Sequence, residues 1–194
     1  MTLKGIDISQ WQGNIDAKKI KDDGIDFVLL DRYRQAIDKH FLTNVKKFKD
    51  AGIAIHGVYH FAYALNKNDA IKEAKSCIKN VEEAGLGKDI IIFYDFEYDT
   101  VNSAKKKGIK LTRTNCIDFT NAFCDYIESQ GYKAGFYLNQ DYYKNWYDAS
   151  TIKKYIIWLA DYNDVPHYDC IYHQYSSKGK VKGISGNVDM NWHY

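Results

Sequence analysis

The residues in this chain that invite chemistry are acids. Asp95 and Glu97 close the run 89–97 (DIIIFYDFE), which is otherwise mostly apolar. Two positions apart in an extended strand, they project to the same side, as does Phe93. Two carboxyls brought together in a partly dry pocket cannot both ionise easily, so one pKa must rise. A protonated carboxylic acid beside an ionised partner suits glycosidic cleavage. One group gives a proton to the leaving oxygen, and the other stabilises an oxocarbenium-like state. A single acid at a strand end is more simply a helix cap or a solvated loop residue, and Asp31, Asp99 and Asp161 are evenly balanced between that reading and a functional one. The paired acids are harder to explain as solvation. Clustered carboxylates also suit magnesium or calcium.

The elements that must hold these acids alternate along the chain. Strands are expected at 3–9, 26–31, 53–61, 89–97 and 133–138, with helical periodicity at 15–21, 41–51, 69–84 and 114–129. The lysine-rich stretch 101–110 reads as a solvated loop. Three further strands, at 155–160, 170–175 and 187–191, follow with no clear helical period between them. Strand–helix repeats wind into an open sheet or a closed barrel, and eight strands favour the barrel. The expected fold is α/β, an abbreviated TIM-like barrel. A single domain over residues 1–194 accommodates it, short of the roughly 250 residues of eight full units. In such a barrel the active site lies at the C-terminal rim of the strands. Acids stand at or just past those ends at Asp7, Asp31, Asp95 with Glu97, Asp161 and Asp189.

Composition removes other classes. Lys and Arg total 27 against 25 Asp and Glu, which gives no electrostatic reason to expect nucleic acid. No apolar run is long enough to span a bilayer, and the start of the chain does not read as a secretory signal. The four cysteines are widely spaced and read as reduced thiols, three of them in helical patterns. His56 and His60 lie in a strand-like segment without a metal-ligating pattern, and there is no phosphate loop. No cofactor or metal is therefore expected. Trp11, Tyr59, Tyr63, Tyr137, Trp158, Tyr162 and Trp192 lie near strand ends. Flat rings there stack on sugars, and as a set they favour a carbohydrate.

Several segments, in order, resemble the lysozymes of glycoside hydrolase family 25. Residues 5–13 (GIDISQWQG) are similar to the family's opening strand and loop. Residues 57–61 (GVYHF), with Ala70, Glu73 and Ala74, resemble its third strand and helix. Residues 94–97 (YDFE) match its acidic strand end, and 158–162 (WLADY) its sixth strand. Residues 173–177 (HQYSS), Gly183, Ile184 and 188–191 (VDMN) look like its ending. The resemblance implies a (β/α)5(β)3 barrel and a muramidase. Its substrate would be peptidoglycan, cut at the β-1,4 bond between N-acetylmuramic acid and N-acetylglucosamine. It implies Glu97 as general acid, with Asp7, Asp95 and Asp189 around the −1 subsite. Substrate contacts are expected from Trp11, Tyr59, Tyr63, Tyr137, Trp158, Asp161 and Gln174. A monomer acting on the bacterial cell wall, as a phage lysin or a trimmed catalytic domain, fits this reading. The sequence departs from the family near the end of the second strand, where Asp31 and Arg32 replace the usual basic residue.

For the second chemical step, the substrate's own 2-acetamido oxygen attacks with Asp95 orienting it, or Asp7 or Asp189 acts directly; the D-x-E arrangement favours the former. Three rival readings remain: a wall-binding barrel without chemistry, a chitinase-like or N-acetylglucosaminidase activity, and a metal-dependent hydrolase.

Overall fold

Eight segments rich in branched and aromatic residues form strands. These are β1 (Leu3–Ile8), β2 (Phe27–Asp31), β3 (Ala54–Phe61), β4 (Ile91–Asp95), β5 (Lys133–Asn139), β6 (Ile156–Ala160), β7 (Tyr172–Gly179) and β8 (Val188–His193), and they close into one barrel. The computed structural model describes residues 2–32 and 39–194, apart from the Lys39 side chain. Around the barrel run α1 (Ala17–Asp22), α2 (Lys39–Ala51), α3 (Lys67–Glu83), α4 (Tyr98–Lys106), α5 (Arg113–Ser129) and α6 (Ala149–Lys154), with a π-helical turn at Tyr142–Trp146. This is the expected (β/α)5(β)3 architecture.

Strands β1 to β7 are parallel to their neighbours, whereas β8 runs antiparallel to both β7 and β1 and closes the ring. A strand that turns straight back needs no crossover helix, which is how eight strands fit into this length.

Both faces of the barrel wall are covered, so the strands read as apolar runs. Outward residues such as Val28, Leu30, Ile92 and Tyr94 pack against the helices, together with Phe48, Val81 and Phe123. Inward residues Phe27, Leu29, Tyr59, Ile91, Phe93, Trp158 and Tyr172 form a separate cluster that fills the barrel. Glycine makes room for these rings: a Cβ on Gly5 would lie 2.3 Å from the Phe27 ring, and one on Gly135 would lie 2.6 Å from Phe93.

One expectation is overturned. The stretch 101–110 is not simply a loop, because α4 covers most of it. The buried face of α4 consists of Thr100 and Ala104, too small to produce an apolar period. Lys105 and Lys106 sit in its last turn, where positive charge complements the helix dipole. The cysteines are all free, with Cys77, Cys116 and Cys124 buried.

Candidate active site

The alternation that fills the barrel also aims the acids. On β2, Phe27 and Leu29 point inward and Asp31 follows at the same parity; on β4, Ile91 and Phe93 are followed by Asp95. Asp7 on β1 is the direct cross-strand partner of Asp189. Asp189 reaches the same rim from the start of β8, because that strand runs the other way. The rim opens into a cleft of about 360 Å³ whose walls include Ser9, Trp11, Asp31, Tyr59, Tyr63, Asp95 and Asp189.

Glu97 continues the extended backbone past β4 (φ −125°, ψ 179°) and caps α4, its N–H donating to Thr100 Oγ1 at 3.3 Å. A helix N-terminus favours a carboxylate. Burial overrides that preference here and, with the charge of Asp99, pushes the Glu97 pKa up to about 7. Asp95 is buried still more completely; burial first, then the charge of Glu97, hold its carboxyl well above the usual range. The charges of Asp95 and Glu97 repel each other, and Asp99, in the first turn of α4, adds a further negative charge beside Glu97. Among the described residues, Asp95 Oδ1 is buried without a hydrogen-bond partner. Such an atom costs about 1–3 kcal/mol while unpaired, so a ligand N–H or hydroxyl reaching it gains accordingly.

Among the described residues, Asp7 is held on one oxygen. Its Oδ2 accepts from Gln174 Nε2 (2.9 Å) and Asn191 Nδ2 (2.8 Å). Burial and the Asp189 charge nevertheless raise its pKa to about 7 against those two bonds. A proton on Asp7 therefore belongs on Oδ1. Burial raises Asp189 as well, and the two carboxyls titrate as a pair. Asn191 Oδ1 accepts from Trp158 Nε1 (2.8 Å). Gln174 Oε1 accepts from the hydroxyls of Tyr137 (3.2 Å) and Tyr162 (3.3 Å), which fixes the amide with its NH2 toward Asp7.

The barrel thus brings Asp7, Asp95, Glu97 and Asp189 together. It also brings in Asp31, whose charge bears on both Asp7 and Asp95. Trp11 stands 84% exposed on a 3-10 turn, Gln10–Gln12, that Ser9 caps. Tyr63 is fixed through its N–H, which donates to Glu73 Oε1 (2.9 Å).

Three expected substrate contacts are buried side chains, committed to other groups of the protein. Trp158 is 1% exposed and packs inside the barrel against Tyr59, Phe93 and Tyr137, with no ring face open to a sugar. Gln174 is buried and committed to Asp7 and two tyrosines. Asp161 follows Ala160 with the opposite parity and organises the loop after β6. It accepts from Gln140 Nε2 (2.6 Å), His167 N (2.7 Å) and Asn163. Burial pushes its pKa up, but these bonds outweigh burial and hold it down at about 2. Trp192 likewise points outward and stacks on Tyr175.

Arg32 parts from Asp31 and turns into the helix layer, donating to Ser76 Oγ, Asn80 Oδ1 and His60 Nδ1, each at 2.9 Å. His60 must then carry its own proton on Nε2, facing Glu73. Asn191 entered the sequence reading only within the closing motif 188–191, without a role; counting by twos from Asp189 would have placed it on the same face of β8. Among the described residues, no three His, Cys, Asp or Glu side chains are placed to hold one metal ion.

Residues 6–184 match the family model for glycosyl hydrolases family 25. The autolytic lysozyme of Clostridium acetobutylicum is 29% identical, over 97% of this chain and 55% of that protein. Among solved structures, the modular autolysin LytC of Streptococcus pneumoniae, in complex with a synthetic peptidoglycan ligand, superposes with a TM-score of 0.86. It is 28% identical and is matched over 100% of this chain and 47% of that one. The catalytic domain of endolysin ply40, from bacteriophage P40 of Listeria monocytogenes, gives a TM-score of 0.80 at 25% identity, over 100% and 94% of the two chains. The chain thus spans about half the length of the first two relatives.

Proposed function

The chain belongs to glycosyl hydrolases family 25, and on that basis we propose that it is a muramidase of bacterial cell-wall peptidoglycan. It cleaves the β-1,4 bond between N-acetylmuramic acid and N-acetylglucosamine. Glu97 is the general acid, and the substrate's 2-acetamido group acts as internal nucleophile. The observation that carries this reading is the unpartnered Oδ1 of Asp95 next to a carboxyl whose pKa burial has raised.

In the first step the acetamido oxygen attacks the anomeric carbon, the bond to the leaving oxygen breaks, and that oxygen takes the Glu97 proton. Asp95 Oδ1 accepts the acetamido N–H and aligns the group. In the second step, water adds at the anomeric carbon, its proton passes to the Glu97 carboxylate, and the acetamido group is restored. This is the substrate-assisted variant of glycoside hydrolysis. Asp7 suits direct attack less well, because one of its oxygens is tied to two amides. With Asp189 it supplies negative potential beneath the positive transition state. Trp11, Tyr59 and Tyr63 contact the sugars. The proposed steps use groups of this one chain and call on no cofactor, in keeping with an enzyme that acts as a monomer.

A general acid must be protonated, so the rate falls as pH rises through about 7, the value to which burial lifts Glu97. Glu97→Gln retains the fold and loses on the order of 10²–10⁴ in rate of wall hydrolysis. Near-normal lysis by that variant would remove Glu97 from the role. Co-sedimentation with walls but no new reducing ends from the native protein would identify a binding barrel instead, and loss of activity in EDTA a metal enzyme.

A further inference from the structure

Tyr137 closes a ring of contacts around the acids. Its hydroxyl donates to Gln174 Oε1 (3.2 Å), and Gln174 and Asn191 both donate to Asp7 Oδ2. Asn191 in turn accepts from Trp158, whose indole packs edge-on to the Tyr137 ring with centroids 4.8 Å apart. In the β4–β5 ladder Tyr137 is the register partner of Asp95, two residues before Glu97. Its hydroxyl is also near Glu97, where its donation favours the ionised carboxylate.

A phenol has one proton to donate. Tyr137 can satisfy the Gln174 carbonyl or the Glu97 carboxylate, but not both at once. Tyr162 resolves the conflict, because its hydroxyl lies 3.3 Å from the same Gln174 oxygen. If Tyr137 turns to Glu97, Gln174 keeps a donor and still presents its NH2 to Asp7.

Resting on the role given to Glu97 above, we infer that Tyr137 is a positioning residue for the general acid, released by Tyr162. It swings its hydroxyl proton from Gln174 to Glu97 as that carboxyl protonates the leaving oxygen, and back when water returns a proton. Tyr137 keeps its proton throughout: burial, together with the charges of Glu97 and Asp95, holds its hydroxyl far above its ordinary range. The charged groups facing Glu97 are Asp99 from α4, Asp95 from β4 and Asp189 from β8, all acidic. Among the described residues, Tyr137 is the side chain that favours its ionised form, alongside the N-terminus of α4.

The test follows the Glu97 carboxyl by carbon-13 NMR titration alongside the pH–rate profile. In Tyr137→Phe the Glu97 titration and the alkaline limb of the rate move up together by about one pH unit, the effect of one lost hydrogen bond to a charged group. In Tyr162→Phe both move up by less, because Gln174 now competes for the remaining donor. Adding Tyr162→Phe to Tyr137→Phe produces no further shift. A rate that drops evenly at all pH values with the Glu97 titration unmoved overturns the inference and leaves Tyr137 as packing alone. Equal Tyr162→Phe shifts in both backgrounds overturn it as well. Tyr162 is 57% exposed, so Tyr162→Phe carries the test if Tyr137→Phe does not fold. Titration shifts as stated, in a protein that releases no sugar, uphold the linkage and overturn the muramidase reading.

Discussion

A buried carboxyl with raised pKa costs stability whenever the solution is alkaline enough to ionise it. Asp95 is the sharpest case, since among the described residues its Oδ1 has no partner and the charges acting on it, those of Glu97, Asp31 and Asp7, are negative. The native state binds its proton more tightly than the unfolded chain does. Stability is therefore lost as pH rises from the ordinary carboxylate range through the raised value. Asp95→Asn removes that loss. At pH 8 it should raise Tm relative to the native protein, by an amount that shrinks as pH falls, while abolishing wall hydrolysis. An unchanged or lower Tm would show that Asp95 is not strained by burial. Trp11 is the opposite kind of residue, exposed and free to stack. Trp11→Ala should leave Tm alone and raise KM about 3–10-fold, the worth of one aromatic contact. An unchanged KM would place the sugars elsewhere.

At the scale of the strand, parity decides which acids work. Asp31, Asp95 and Asp189 were legible as strand-end acids, and inward alternation carries each into the cleft. Asp161 looked equivalent in the sequence, but it follows the last residue of β6 with the opposite parity and is fixed into a loop. Trp158 has the right parity yet lies too deep, with Phe93 and Tyr59 against its ring. Proximity to a strand end was readable; depth along the barrel axis was not. Nor was α4, whose buried side chains are small and whose first cap is Glu97 itself. Asp161→Ala should therefore destabilise the β6–β7 connection by about 1–3 kcal/mol, measured by denaturant unfolding, and leave the pH–rate profile in place. A shifted profile would return Asp161 to the site.

Across the whole molecule, the two ends of the barrel respond to pH in opposite senses. At the end away from the cleft, His56 stacks on Phe27 (4.5 Å), bonds Tyr172 (3.1 Å) and lies 5.0 Å from the ring of His193. Burial, then the neighbouring His193, lower the His56 pKa to about 4. The unfolded chain binds that proton first, so this end loses stability as pH falls from about 6.5 to 4. At the cleft end, Asp7 and Glu97, both raised to about 7, gain stability over much of the same fall. His56→Gln should therefore improve in Tm relative to the native protein on going from pH 7.5 to pH 4.5. A constant difference between the two pH values would mean that His56 does not titrate against folding. The barrel class was legible because eight strand-like runs and four helical periods follow in order, whereas the reversal of β8 was not, because one strand's sequence carries no sign of its direction.

The central claim is that acids distant in sequence meet to cut one particular bond. The most direct measurement digests purified peptidoglycan with the native protein, reduces the new ends with borohydride, hydrolyses the glycan and identifies the amino-sugar alcohol. Muramitol, absent from the Glu97→Gln digest, is the predicted product. Glucosaminitol, or no sugar alcohol at all, would contradict the account.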